Sequence, residues 1–347
     1  MSKPTSILII RLSALGDVVM ATPLLRALRR HYPSARIAWL VQSDVAELLT
    51  AQPGLDELII WPRKQWKQRW QQGERLAVLR EVWRFVVDLR QRHFDLVLDA
   101  TGLLKSGVWA FATGAARRVG LGSQEGSQWL MTQVVAKDRN DPRYASEYLE
   151  LLEALGIPPG DWLPEIGVSP EAKARAQALL AEAGMTGPYA VCCPFNTRPQ
   201  KHWVEAQWAI LAQNLADDLG LTPVLLGGPA DQAAAERILA DTQGKARSFV
   251  GRTRLLEAAA IIAGADLLVG VDTGLTHMGP AFNVPTLALF GSTCPYTQVN
   301  RDNVRVIYLK KSCSPCHRSP TCGGAFSCMT EITAERVLLE SRAVLKR

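Results

Sequence analysis

Short apolar runs alternate, twice over, with stretches whose apolar residues recur at helical spacing. A segment rich in Pro and Gly, Gly156-Ile-Pro-Pro-Gly-Asp-Trp-Leu-Pro164, separates the two series. Such patterning constrains a chain to α/β architecture, because parallel strands need a crossover between them and the crossover helices bury both faces of the sheet. The first series predicts strands over 7–10, 37–41, 58–61 and 96–99, with a helix over 17–30 that places Val18, Leu25 and Leu28 on one face. The second predicts helices over 170–183, 205–219, 231–240, 255–263 and 275–282 and strands over 189–193, 222–226, 267–271 and 286–290. At 347 residues there is room for two doubly wound domains facing one another across a cleft at the carboxyl ends of their sheets. The expected division is 1–160 and 165–330, with 331–347 as a C-terminal helix packing back on the first domain.

Composition is that of a globular protein, 48% hydrophobic and 21% charged. No apolar run approaches the roughly 18 residues that cross a bilayer. The polar opening Met1-Ser-Lys-Pro-Thr-Ser6 lacks a signal peptide's apolar segment, so a cytoplasmic location is expected. The net charge of +6 is unevenly spread: residues 1–120 carry 18 Lys and Arg against 10 Asp and Glu, and the remainder 21 against 23. An anionic partner for the first third follows. Nucleic acid is not expected, since neither a recognition motif nor a long basic run is present.

One stretch combines a buried strand with a polar turn: Asp266-Leu-Leu-Val-Gly-Val-Asp-Thr-Gly-Leu-Thr-His277. If a helix opens after Asp272, the backbone N–H groups of Thr273, Gly274 and Leu275 form a seat for a diphosphate; otherwise this is an ordinary capped turn. A dinucleotide-binding dehydrogenase would carry Gly-x-Gly-x-x-Gly after its first strand, but the loop here is Arg11-Leu-Ser-Ala-Leu-Gly-Asp17. What that loop supplies is Asp17 at a helix start, where the dipole keeps the carboxylate ionised. It can serve as a proton acceptor or simply stabilise its own helix.

Seven cysteines argue against a disulfide framework. Four of them, Cys313, Cys316, Cys322 and Cys328, cluster with His317 alongside. They read either as a structural zinc or iron knuckle or as free thiols in a Pro/Gly-rich loop. Cys192 and Cys193 lie in an apolar strand and read as core.

Five blocks in order, Arg11 to Val18, Asp99-Ala-Thr-Gly-Leu-Leu-Lys-Ser106, Asn196 to Trp203, Gly270 to His277 and Leu289-Phe-Gly-Ser-Thr293, resemble glycosyltransferase family 9. These are the ADP-heptose:lipopolysaccharide heptosyltransferases, and the second block is most similar to those adding the first heptose. The resemblance spans nearly the whole chain. It implies a GT-B fold, with ADP-heptose held by the C-terminal domain and a lipopolysaccharide inner-core acceptor of the Kdo-lipid A type by the N-terminal one. It further implies inverting transfer with Asp17 as general base. Lys201 matches a phosphate-binding lysine, Asp272 a donor-binding aspartate and Lys105 an acceptor-side lysine.

Further donor contacts are expected from Thr197 in the 196–203 loop and from Gly227 and Gly228, where a strand end lets a nucleotide approach the backbone. His277 either touches the donor or is an interior histidine. No Asp-x-Asp stands in a loop where it could hold a divalent ion, so metal-independent transfer without a catalytic cofactor is expected, Lys201 and the helix terminus neutralising the leaving diphosphate.

On the acceptor side, Arg63, Lys64, Lys67, Arg117 and Arg118 offer cations for phosphates and carboxylates. Trp66 and Trp70, interleaved with the first three, either rest at the inner-membrane interface in a peripheral contact or are half-buried in a solvated helix. Alternatives are a relative using another sugar nucleotide or a protein acceptor, a non-catalytic nucleotide-sugar binding protein and, third, an oxidoreductase.

Overall fold

The computed structural model describes residues 3–137, 141–293, 295–316 and 319–345. They form two compact units, Met1–Asp141 with Ala145–Gly167, and Pro142–Tyr144 with Val168–Arg347.

In the first unit, β1 (Ser6–Ile10), β2 (Arg36–Gln42), β3 (Glu57–Trp61), β4 (Leu96–Asp99), β5 (Arg117–Leu121) and β6 (Gln133–Val135) make one parallel sheet in the order β3-β2-β1-β4-β5-β6. Helices α1 (Leu15–His31), α2 (Arg63–Gln71), α3 (Arg75–Gln91), α4 (Leu104–Ala112) and α5 (Ser146–Leu155) complete it. Central β1 has no polar face: Ile7, Leu8, Ile9 and Ile10 are all fully buried, as a strand covered on both sides requires.

The second unit repeats the plan. Its strands β7 (Tyr189–Cys193), β8 (Thr222–Leu225), β9 (Arg247–Ser248), β10 (Leu267–Val271), β11 (Thr286–Phe290) and β12 (Val304–Tyr308) run parallel in the order β12-β11-β10-β7-β8-β9. Its helices are α6 (Pro170–Glu182), α7 (Glu205–Leu219), α8 (Gln232–Ala240), α9 (Leu255–Ala263), α10 (Met278–Ala281), α11 (Ser327–Thr330) and α12 (Ala334–Leu345). Each sheet grows one way from its first strand and then resumes on the other side of it. The order therefore reverses between β1 and β4, and between β7 and β10, where doubly wound folds bind ligands beyond the strand carboxyl ends. Among the described residues no helix is long and apolar enough to cross a membrane.

Three expectations need correction. The C-terminal helix packs within the second unit, not on the first: Val337, Leu338 and Val344 of α12 join the core of Leu211, Leu215 and Leu289. Trp203 Nε1 donates to the Ile332 carbonyl at 2.8 Å and fastens the segment leading into α12. The irregular stretch after Gly156 stays with the first unit as far as Gly167, because Glu165 N–H donates to Thr22 Oγ1 at 3.0 Å and Gln52 Nε2 donates to the Glu165 carbonyl at 3.0 Å. Conversely, Pro142–Tyr144 belongs to the second unit, with Tyr144 N–H donating to Gln298 O at 2.8 Å. Finally, the helix expected over 275–282 shrinks to α10, four residues long. Pro280 offers no N–H and Asn283 turns left-handed (φ 58°), so the turn cannot propagate.

Candidate active site

At the first unit's switch point the chain leaves β1 through Arg11 and enters α1 at Leu15. Asp17 stands in the first turn of α1, and its carboxylate accepts the Ala14 N–H at 3.0 Å and pairs with Arg11. Burial opposes its charge, but Arg11, the Ala14 N–H and Lys137 outweigh that and hold its carboxyl below the ordinary value. Arg11 is buried and fixed from behind: Nη1 donates to the Ala100 carbonyl at 2.8 Å, and its guanidinium lies 5.8 Å from the centre of the Tyr148 ring. The Tyr148 hydroxyl donates to the Asp17 carbonyl at 3.3 Å. Asp17 remains half-buried, an ionised carboxylate at the carboxyl edge of the sheet.

Beside it, β4 ends in Asp99, which is fully buried. Its carboxylate accepts the N–H groups of Thr101 at 3.0 Å and Gly102 at 3.1 Å and the Ser106 hydroxyl at 2.9 Å. Burial, partly offset by these donors, raises its carboxyl to about 6. Gly102 is required here: its φ is +70°, and a Cβ would stand 2.2 Å from the Leu121 carbonyl oxygen. Asp99 thus shapes the loop that presents Lys105 in the first turn of α4.

In the second unit the loops after β7 and β10 meet on Asp272. Lys201 Nζ and the Thr293 hydroxyl donate to Asp272 Oδ2, each at 2.5 Å, and His277 Nε2 lies 3.3 Å from Oδ1. Asn196 Nδ2 donates to the Asp272 carbonyl at 2.6 Å. Burial works against the charge, yet His277 and Lys201 hold the Asp272 carboxyl well below the usual carboxylate range. His277 is an interior residue, its Nδ1 3.2 Å from the Tyr296 hydroxyl, with Tyr144 packed edge-on against Tyr296 at 4.6 Å.

Of the three N–H groups expected to seat a diphosphate, that of Thr273 is already bonded to the Val271 carbonyl at 2.7 Å. Those of Gly274 and Leu275 donate to no described residue and lie in a partly accessible turn. With α10 a single turn, a macrodipole adds little, and what this turn offers an anion is these two donors.

Other expected donor residues divide. Thr197 is exposed on the same loop as Lys201. Gly227 and Gly228 follow β8 at the same edge, but Gly227 is also a packing requirement, since a Cβ would meet the Phe195 ring at 2.5 Å. Gly228 N–H is taken by Asp231 at 2.8 Å. Thr293, Asn196, Tyr296 and Tyr144 had no assigned role in the sequence; the blocks beginning at Asn196 and ending at Thr293 were the signal for those two, and nothing pointed to the tyrosines.

The basic residues expected to hold acceptor are not all brought together. Arg63, Lys64 and Lys67 lie on α2, which follows the carboxyl end of β3, with Lys64 3.2 Å from Asp44. Arg117 and Arg118 begin β5 and so sit at the opposite, amino edge. There the Arg118 guanidinium binds the Leu130 and Ala115 carbonyls, a structural use that corrects the expectation. Of the two alternatives for Trp66 the structure takes the inward one: it is 9% exposed, packs edge-on to Phe85 and donates to Glu81 at 2.9 Å. Trp70 is exposed.

As for the cysteine cluster, Cys313, Cys316 and Cys322 are partly exposed and Cys328 is buried; His317 lies outside the described residues. Backbone N–H groups, that of Phe326 first, lower the Cys322 thiol, while burial and then the neighbouring cysteines raise that of Cys328. Among the described residues no three His, Cys, Asp or Glu side chains are arranged to hold a metal ion. Cys192 and Cys193 are core, and burial pushes the Cys192 thiol up to about 12.

Two doubly wound units, one with a held carboxylate and the other with a lysine and free backbone donors at its switch point, are the architecture of a GT-B glycosyltransferase. A model of glycosyltransferase family 9 (heptosyltransferase) matches residues 82–324, and the chain belongs to that family. It is 30% identical over 293 residues to lipopolysaccharide heptosyltransferase 1 of Pseudomonas aeruginosa, covering 83% of this chain and 79% of that protein. It is 29% identical to lipopolysaccharide heptosyltransferase 2 of Escherichia coli, covering 98% of each. The solved structure of the Escherichia coli ADP-heptose lps heptosyltransferase II matches with a TM-score of 0.74 at 27% identity, over 98% of each chain. The protein is a glycosyltransferase.

Proposed function

We propose that the enzyme transfers heptose from ADP-heptose to the lipopolysaccharide inner core, on a Kdo-lipid A type acceptor, in one inverting, metal-independent displacement. It works as a cytoplasmic protein peripheral to the inner membrane. Asp17 accepts the proton of the attacking hydroxyl. A carboxylate held ionised is a weak base, which suffices when the proton leaves late, after the new C–O bond has made the attacking oxygen acidic. Lys201 and the N–H groups of Gly274 and Leu275 bind the diphosphate and stabilise the charge it gains as the glycosidic bond breaks.

Asp272 acts by positioning: two donors already fill Oδ2, and through them it holds Lys201 and the turn. Lys105, with Arg63, Lys64 and Lys67 at the same edge, faces the acceptor's acidic groups. Any metal at the cysteines has a structural role, which metal analysis of the purified protein tests directly.

The observation that carries this reading is the Arg11–Asp17 pair at the carboxyl edge of β1. Its test is Asp17→Asn, with donor binding and transfer measured separately. Transfer is expected to fall by about 10²–10⁴-fold while the Kd for ADP-heptose changes little. A variant that still transfers at the native rate removes Asp17 from the mechanism.

A further inference from the structure

Helix α3 has two apolar faces where a helix at a protein surface needs one. At about 100° per residue, Val78, Val82, Phe85 and Leu89 fall on one side and enter the first unit's core with Trp66 and Trp109. Leu76, Leu79 and Trp83 fall on the other side and are 72%, 52% and 67% exposed. Arg80 and Arg84 stand exposed beside them, and these five residues line one open surface depression. Arg75, at the helix start, covers the exposed Trp70 ring, its guanidinium 5.8 Å from the ring centre.

From these features we infer that the Leu76–Leu79–Trp83 ridge docks the protein onto an anionic phospholipid bilayer. The apolar side chains enter the interface, Trp83 sits at headgroup depth, and Arg80 and Arg84 meet lipid phosphates. The composition is that of an interfacial helix: large apolar side chains including Trp, with cations on the flank and carboxylates elsewhere. Glu81, on the same helix, is already paired with Arg69 at 2.6 Å and bonded by Trp66, so its charge is compensated from within. A second copy of the chain would bring arginine against arginine across a two-fold axis, whereas a bilayer of anionic headgroups complements them.

Topology places the ridge usefully. α3 carries the chain back from the carboxyl edge after α2 towards the start of β4, so its first turns, with Leu76 and Leu79, lie nearest the edge that bears Asp17 and Lys105. This inference extends the peripheral attachment proposed above and supplies the surface responsible.

Co-sedimentation of the full chain with vesicles of phosphatidylethanolamine and phosphatidylglycerol, against phosphatidylcholine alone, tests it. Two variants are compared, Leu76→Ser/Leu79→Ser/Trp83→Ser and Arg80→Glu/Arg84→Glu, each checked for native thermal stability. The wild type is expected to bind the anionic vesicles, and each variant to bind them about tenfold more weakly or worse. Heptose transfer to a de-acylated, soluble acceptor should be unchanged in both. A wild type that ignores anionic vesicles, variants that bind as well as the wild type, or a ridge-dependent dimer in sedimentation velocity without vesicle binding would each overturn the inference. Vesicle binding without any heptose transfer would leave the docking standing and sink the functional reading instead.

Discussion

Two aspartates at the first unit's switch point are shifted in opposite directions, and their surroundings explain why. Asp17 has a buried arginine as direct partner and stays ionised; at Asp99 complete burial outweighs three hydrogen-bond donors and the Arg11 charge, and its carboxyl rises to about 6. The sign of the stability effect follows. An unfolded aspartate titrates near about 3.9, so between pH 4 and 6 the folded protein binds a proton at Asp99 that the unfolded chain does not. This group therefore favours folding in acid and opposes it above its folded value. Asp99→Asn should remove that dependence: relative to the wild type its stability advantage is greatest above pH 6, up to about 2–3 kcal/mol, and shrinks towards pH 4. Denaturant titrations of both proteins across that range check it, and a difference independent of pH would contradict the assignment. In the second unit, Lys201→Ala removes the ammonium group bonded to Asp272. Losing a charged donor to a diphosphate should weaken ADP binding by about 10-fold to 100-fold in calorimetry. An unchanged Kd would mean that Lys201 serves the loop alone.

Elements were legible in proportion to how far their own residues determine them. The strands β1, β7, β10 and β11 are buried at every position and, apart from a leading Ser6 or Thr286, apolar, because both faces are covered; α1, α6 and α7 carry helical periodicity along their length. Two of the edge strands gave no such signal: β6 is Gln133–Val135 and β9 only Arg247–Ser248, too short and too exposed to show a pattern. The shortness of α10 was written in Pro280 and Asn283, but the N-terminal polar residues outweigh those stops unless the strand that follows is known to begin at Thr286. Trp66 misleads because cations surround it in sequence while its ring faces Phe85 and Trp109 in space. The fate of α12 is likewise a tertiary matter: an amphipathic helix declares that it packs, not where. Since its apolar face completes the second unit's core, removing residues from 333 onward should lower that unit's stability and abolish ADP binding. Limited proteolysis and calorimetry would show it, and a truncated chain that binds ADP normally would contradict it.

At the scale of the whole molecule, duplication of one plan was evident from the repeated alternation, and with it the two switch points where chemistry gathers. What sequence could not supply was the wiring at each point. The convergence of Lys201, Thr293 and His277 on Asp272 joins residues up to 92 positions apart in sequence and depends on parallel β7, β10 and β11 lying side by side. Family membership then gives the reaction class, and in the mechanism we propose the held carboxylate and the lysine are its agents. The most direct test of the central claim is incubation of the purified enzyme with ADP-heptose and Kdo-lipid A, with NMR of the product's anomeric centre. The account predicts a single heptose added with inversion of the donor's configuration, proceeding in the presence of a metal chelator. A product of retained configuration, or no transfer from ADP-heptose where another sugar nucleotide is consumed, would contradict it.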